Sequence, residues 1–174
     1  RIGYVAQKFS LYSAMTVFEN LRFFGGIYGL SGKRLRERIA EVMEEFDLTE
    51  KQHEPAGTLP GGFKQRLSMA AALIHQPKIL FLDEPTSGID PIARRRFWQQ
   101  ITALAAAGTT IIITTHFMEE AEYCDRMMIQ DQGRLLILGR PSDIRKEMGR
   151  PDADMNEIFI SIVEKGRSSP SSGA

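Results

Sequence analysis

The sequence predicts an α/β fold, a partly parallel sheet flanked by helices, on three observations. Ile79-Leu80-Phe81-Leu82 is an apolar run with no polar alternation, the pattern of a strand buried on both faces. Thr109 to Thr115, carrying Ile111, Ile112 and Ile113, repeats that pattern after a helical stretch. Around them, strand, helix, strand, helix and hairpin follow one another, which is an α/β order. Asp83 and Glu84 stand directly behind the first run. Ligands gather beyond the carboxyl ends of strands in open parallel sheets, so this pair suggests a metal-holding carboxylate and a base.

Composition sets the outer bounds. At 174 residues, 43% hydrophobic and 25% charged, the chain is one ordinary domain or part of a larger one. Its 22 basic residues balance 22 acidic ones, which argues against a nucleic-acid footprint and offers no polybasic membrane patch. Cys124 is the single cysteine, and His53, His75 and His116 lack zinc spacing with it, so a reducing compartment is expected. No apolar run has the length of a membrane span and no secretory signal opens the chain. A soluble chain is expected. Arg1 leads straight into Ile2-Gly3-Tyr4-Val5, which reads as a strand already under way and as the start of a fragment.

Gln7 ends this opening strand. Phe9, Tyr12, Phe18, Phe23, Phe24 and Tyr28 follow, six of the chain's 15 aromatics. Aromatics are mostly structural, so local core is the expectation for each ring, with a docking surface for another protein as the alternative. Leu35, Ile39, Val42, Met43 and Phe46 then have helical spacing, with Ser31 as N-cap and Leu30 with Leu35 as a hydrophobic staple. Lys33, Arg34, Arg36 and Arg38 lie early and Glu41, Glu44 and Glu45 late, against the helix dipole, which reads as a solvated face. Thr49 to Thr58 reads as a loop.

A helix is expected from Gly61 through Leu67, Ala70, Ala71 and Ile74 until Pro77 stops it. Gly61-Gly62 at its start would leave backbone N–H groups open to an anion, although such a pair is more often just a tight turn. Asp90 before Pro91 is good helix-start chemistry, and the helix that follows carries Ile92, Phe97, Trp98, Ile101 and Leu104 up to Gly108. Beyond the isoleucine strand comes a short acidic-led helix with Glu119, Glu120 and Glu122. Met127 to Ile129 and Leu135 to Leu138 form a hairpin around Asp131-Gln132-Gly133. Helices are expected at 142–148 and 155–163, and a disordered tail at 166–174. His116 closes the isoleucine strand as Asp83 and Glu84 close its neighbour, so one sheet edge collects all three polar groups.

In order and spacing, Gln7, Leu59-Pro60-Gly61-Gly62-Phe63-Lys64-Gln65-Arg66, Ile79 to Glu84, Ser87-Gly88-Ile89-Asp90 and His116 resemble the ATP-binding cassette (ABC) ATPases that drive ABC transporters. The Pro-Gly-Gly-x-Lys-Gln-Arg form and His116-Phe117-Met118-Glu119-Glu120-Ala121 are similar to the bacterial drug-export and drug-resistance branch. The resemblance implies the C-terminal part of an ABC nucleotide-binding domain over residues 1–165. Its helical subdomain would span 8–78, its central core 79–140 and its last helices 141–165. The implied cofactors are ATP and Mg²⁺. Asp83, with Gln7, would hold the metal, and Glu84 would act as general base on the attacking water. His116 would contact the γ-phosphate. Ser87, Gly88 and Asp90 would join the nucleotide site across a dimer, and Gly61-Gly62 would cap the nucleotide of the opposite cassette. The implied partners are a second cassette and a transmembrane permease, met by the loop after Gln7. That places the chain at the cytoplasmic face of the inner or plasma membrane.

Two departures from the family pattern stand out. Pro60 and Phe63 replace the serine and glutamine of the usual Leu-Ser-Gly-Gly-Gln, and one hydroxyl contact to a charged phosphate is worth about 1.5 to 3 kcal/mol. The sequence also contains no Gly-x-x-x-x-Gly-Lys-[Ser/Thr] phosphate loop. Without that loop, phosphate orientation is lost, and negligible hydrolysis by these 174 residues alone is expected. A non-catalytic cassette module lending Gly61 and Gly62 to a partner's ATP is the alternative. An ABC ATPase of DNA repair or translation fits less well, given the short helical insert and the neutral charge.

Overall fold

The computed structural model describes residues 1–168. Two compact units make up the chain, Arg1–Thr114 and Thr115 onward.

The first unit is α/β. Strands β1 (Ile2–Val5), β2 (Ile79–Asp83) and β3 (Thr110–Thr114) form a parallel sheet in the order β1-β2-β3. Register pairs Tyr4 with Phe81 and Phe81 with Ile112, and ends with Asp83 beside Thr114. Burial alternates along β2, with Leu80 and Leu82 buried and Phe81 only half-buried. Ile112 is 43% exposed and Tyr4 60%. The expectation of strands buried on both faces is therefore corrected: one face is covered and the other is open. Gly3 lies on the covered face, where a Cβ would stand 2.6 Å from the Ala72 carbonyl oxygen of a packed helix.

That helix, α3 (Gly61–Leu73), packs with α1 (Val17–Ile27) and α2 (Gly32–Glu45) into an all-helical layer supplied by the sequence that links β1 to β2. Val17, Leu21, Ile39, Val42, Phe46, Leu48 and Leu67 fill its core. Helix α1 starts on a capping box: the Thr16 hydroxyl accepts from Glu19 N–H and the Glu19 carboxylate accepts from Thr16 N–H. Buried Asn20 donates to the carbonyls of Tyr12, Met15 and Thr16 and accepts from Tyr12 N–H, fixing the approach to the helix. Residues 49–58 are more than a loop, holding 3₁₀ turns at Thr49–Lys51 and Ala56–Thr58, bonded back to Ser13, Met15, Val17 and Phe18.

Two expectations fail in this layer and a third holds only in position. None of the six aromatics between Phe9 and Tyr28 is buried. Tyr12, Phe23 and Phe24 instead cluster half out of the surface, with Tyr12 and Phe23 edge-on at 4.8 Å. Ser31 stands at the N-cap of α2, but its side chain makes no capping bond. Arg38 is not part of a solvated face. Its guanidinium donates to the carbonyls of Leu73 (3.2 Å) and Ile74 (3.1 Å), satisfying the C-terminus of α3, while Glu41 accepts from it at 2.8 Å.

Helix α4 (Pro91–Ala106) connects β2 to β3, burying Phe97, Trp98 and Ile101. Ile92, expected on that apolar face, is 72% exposed.

The second unit opens with the expected short acidic helix, which is 3₁₀ in form over Met118–Tyr123, and Glu120 within it is buried. Strands β4 (Met127–Asp131) and β5 (Arg134–Gly139) form the hairpin, turning through Gln132 (φ 49°) and Gly133 (φ 75°). Two positive φ values in a two-residue connection match a type I′ turn. Helices α5 (Pro141–Glu147) and α6 (Met155–Ser168) complete a core of Ile129, Ile144, Met155, Ile158 and Ile162. Helix α6 thus runs through Gly166 and Arg167, which were expected to be disordered. Residues 169–174 of that expected tail lie outside the described residues.

Candidate functional site

The carboxyl ends of β1 and β2 carry the densest collection of polar groups that the sequence singles out. Asp83 is the last residue of β2, and Gln7 lies two residues beyond β1. Parallel pairing of Val5 with Leu82 brings the two strand ends level. Gln7 Nε2 donates to Glu84 Oε2 at 2.6 Å.

Glu84 takes φ = +44°, a left-handed conformation that a non-glycine residue adopts at a cost. Its N–H donates to the Thr114 carbonyl at 3.0 Å and lies 3.2 Å from the Thr114 hydroxyl. The same hydroxyl donates to Asp83 Oδ1 at 2.6 Å. The Asp83 carboxylate and the Glu84 backbone, whose side chains a regular strand would send to opposite faces, are thereby anchored to one residue of the neighbouring strand.

The chain turns sharply after Glu84. Ser87 N–H bonds back to the Glu84 carbonyl, and Gly88 takes φ = +75°, a value that suits only glycine without strain. Asp90 then caps α4, its Oδ1 accepting from Ile92 and Ala93 N–H at 3.0 Å each. These amides, Ala93 first, hold the Asp90 carboxyl below its ordinary value, with a smaller contribution from the Arg96 charge. The helix-start chemistry read from Asp90-Pro91 is present.

Gly61 and Gly62 open α3 with ordinary backbone angles, and a Cβ at either position would meet nothing within 4 Å. Pro60 supplies no side-chain cap there. The helix start is tied to the rest of the site by residues not foreseen from sequence. Gln65 Nε2 donates to the Pro85 carbonyl, and Lys64 Nζ lies 5.8 Å from the centre of the Phe9 ring. His116 lies two residues past β3 in the second unit, its ring 4.1 Å from that of Phe117. Thr115, just before His116, donates to Glu120 Oε2 at 2.7 Å and accepts from Phe117 N–H.

Gln7, Asp83 and Glu84 are thus brought together, with Ser87, Gly88 and Asp90 on the turn that follows. Thr114 and Gln65 were missed. Register arithmetic could have found Thr114, because a polar residue ending a strand next to Asp83 must lie beside it. No sequence signal marks Gln65 as a partner of Pro85. Among the described residues no helix is long and apolar enough to cross a membrane.

Comparison with known proteins supplies the context for this geometry. The family model described as "ABC transporter" matches residues 1–87. The chain is 48% identical, over 93% of its length, to the probable multidrug ABC transporter ATP-binding protein YbhF of Escherichia coli, of which it covers 28%. It is 42% identical to the linearmycin resistance ATP-binding protein LnrL of Bacillus subtilis, over 94% of the chain and 55% of that relative. Nod factor export ATP-binding protein I of Ralstonia nicotianae is 41% identical over 91% of the chain and 49% of its own length. The chain therefore spans about half, or less, of these curated relatives. A solved structure described as the ATP binding subunit of an ABC transporter superposes with a TM-score of 0.83 at 29% identity, over 93% of this chain and 68% of that one. Sequence and fold agree, and the chain belongs to the ABC transporter ATP-binding family.

Proposed function

We propose that the chain is part of the ATP-hydrolysing subunit of an ABC exporter, with Asp83 and Glu84 as its reacting carboxylates. The carrying observation is the Gln7–Glu84 hydrogen bond beside Asp83 at the ends of two adjacent parallel strands. The names of the relatives, a multidrug transporter, a linearmycin resistance protein and a Nod factor exporter, support export as the task.

The donor set fits Mg²⁺, which takes one or two carboxylates and completes its shell with water and phosphate oxygens. When bound, the ion neutralises charge on the transferring phosphoryl group. Asp83 holds it, assisted by the Gln7 side-chain oxygen. Glu84 accepts the proton of the attacking water. Gln7 orients that carboxylate through the 2.6 Å bond. His116 contacts the γ-phosphate, while Ser87, Gly88 and Asp90 face the nucleotide at a cassette dimer. Among the described residues nothing requires glycine at 61 or 62, since a Cβ would meet nothing within 4 Å at either. Close backbone approach by a nucleotide held on a second cassette supplies the requirement.

The partially exposed Tyr12–Phe23–Phe24 cluster, on the segment after Gln7, suits a permease contact, which would hold the protein at the cytoplasmic membrane face. Taken alone, the 174 residues contain no phosphate-loop motif and would hydrolyse ATP negligibly. Micromolar Mg-ATP binding by this polypeptide would overturn that expectation.

The decisive test is Glu84→Gln in the full-length polypeptide encoded by the gene. Turnover should fall by about 10²- to 10⁴-fold with ATP binding retained, the range for losing a general base. Unchanged hydrolysis would remove Glu84 from the mechanism and favour the non-catalytic module.

A further inference from the structure

Thr114 touches the Asp83 carboxylate and the Glu84 backbone N–H, although no motif points to it. Parallel register sets it beside Asp83 on the same face of the sheet. Its hydroxyl has one proton, and that proton goes to Asp83 Oδ1 at 2.6 Å. The hydroxyl oxygen faces the Glu84 N–H at 3.2 Å, and the Thr114 carbonyl accepts from the same N–H at 3.0 Å. The chain amide–hydroxyl–carboxylate leaves the hydroxyl a single orientation. A carboxylate oxygen engaged in a short hydrogen bond is turned toward its donor, which leaves Oδ2 as the Asp83 oxygen that the Thr114 hydroxyl does not engage.

We propose that Thr114 is a positioning residue for this site: its hydroxyl fixes the rotation of the Asp83 carboxylate so that Oδ2 is presented to the divalent cation. The inference rests on the reading of Asp83 as the cation-holding residue. The adjacent Thr115 does different work, since its hydroxyl binds Glu120 and Phe117 N–H. Hydrogen-bonding partners of metal-ligating side chains set ligand orientation, and losing one costs about 10- to 100-fold in metal affinity or activity.

The test uses the full-length polypeptide with a non-hydrolysable ATP analogue and Mn²⁺ as the probe, its binding read by electron paramagnetic resonance. Thr114→Val keeps the shape of the side chain and removes the hydroxyl, and should weaken Mn²⁺ binding by about 10- to 100-fold. Thr114→Ser restores the hydroxyl and should return affinity to near the unaltered value. A parallel ATPase titration should show the Val variant needing more Mg²⁺ for half-maximal rate, with a smaller change at saturation. Should Thr114→Val not accumulate folded, Thr114→Ala is read in the same way. Asp83→Asn separates the two layers of the inference. If it abolishes Mn²⁺ binding while Thr114→Val binds normally, the Thr114 proposal falls alone. If Asp83→Asn itself binds Mn²⁺ normally, the reading of Asp83 falls and takes this proposal with it. A Ser variant as weak as the Val variant also overturns it, because the hydroxyl would then not be the agent.

Discussion

Gln7 Nε2 and Glu84 Oε2 stand 2.6 Å apart although 77 residues separate them in the chain. Adjacency of β1 and β2 is what joins them, and the helical layer of α1, α2 and α3 fills the sequence between. The Glu84 carboxylate, proposed above as the proton acceptor, is thus held by a neutral amide donor, which orients it without replacing its charge.

Replacing Gln7 by Ala should lower ATP turnover of the full-length polypeptide, by less than Glu84→Gln does, since in the proposed mechanism Gln7 orients the proton acceptor and transfers no proton itself. Loss of positioning alone reaches about 10²-fold. The double variant Gln7→Ala/Glu84→Gln should be no slower than Glu84→Gln, because groups that act as a unit are non-additive. Steady-state rates of the four proteins in this cycle check it. Additive losses would show that Gln7 acts elsewhere.

Arg38 closes the C-terminus of α3 from a different helix, with its side chain only 17% exposed. Arg38→Met keeps most of the aliphatic stem and removes the donors to Leu73 and Ile74. The lost charged-donor bonds and the stranded carbonyls should cost about 1 to 3 kcal/mol. Urea denaturation should show a lower midpoint with an unchanged m value. A midpoint equal to the unaltered protein would return Arg38 to the solvated face that its sequence position suggests.

What sequence could reveal about this site follows from how local each signal is. Asp83-Glu84 after an apolar run, Gly61-Gly62 before a helical pattern and Asp90 before Pro91 each carry their meaning within a few residues. Thr114, Arg38 and Gln65 do not, because their partners lie 31, 35 and 20 residues away. Helix α1 was legible in Thr16-x-x-Glu19 but was masked by aromatics read as core. Three consecutive isoleucines in β3 gave the strand correctly and its burial wrongly. Hydropathy reports what a face prefers, while the helices actually packed on it decide what is covered.

Gly3 allows β1 to lie against α3, with no room for a side chain between strand and helix. Gly3→Ala would drive a Cβ to 2.6 Å from the Ala72 carbonyl, which is backbone and cannot rotate away. Overpacking of this kind costs about 1 to 3 kcal/mol. Thermal unfolding should shift downward. A midpoint unchanged from the unaltered protein would show that β1 can move off the helix freely.

His75 should make the first unit sensitive to acid. Its ring is buried at 2% exposure and stacks on Tyr28 with centroids 3.6 Å apart. Nε2 lies 3.0 Å from the Ile2 carbonyl, which can only accept, so Nε2 carries the proton. Nδ1 is buried without a hydrogen-bond partner among the described residues. Burial pushes the His75 pKa below its ordinary value, against the Ile2 carbonyl, which raises it, and the Arg1 charge lowers it further. Arg34, Glu37, Arg38 and Glu41 line the cavity beside the ring. The unfolded chain therefore takes up the proton first as pH falls. Stability from His75 is complete above the unfolded value of about 6.5 and is lost as pH drops from there toward the lower folded value. Urea midpoints measured at pH 7.5 and at pH 5.5 should fall on acidification, and His75→Gln, which keeps a side-chain donor and cannot charge, should show a shallower fall. Parallel pH profiles for the two proteins would mean that another group carries the acid sensitivity.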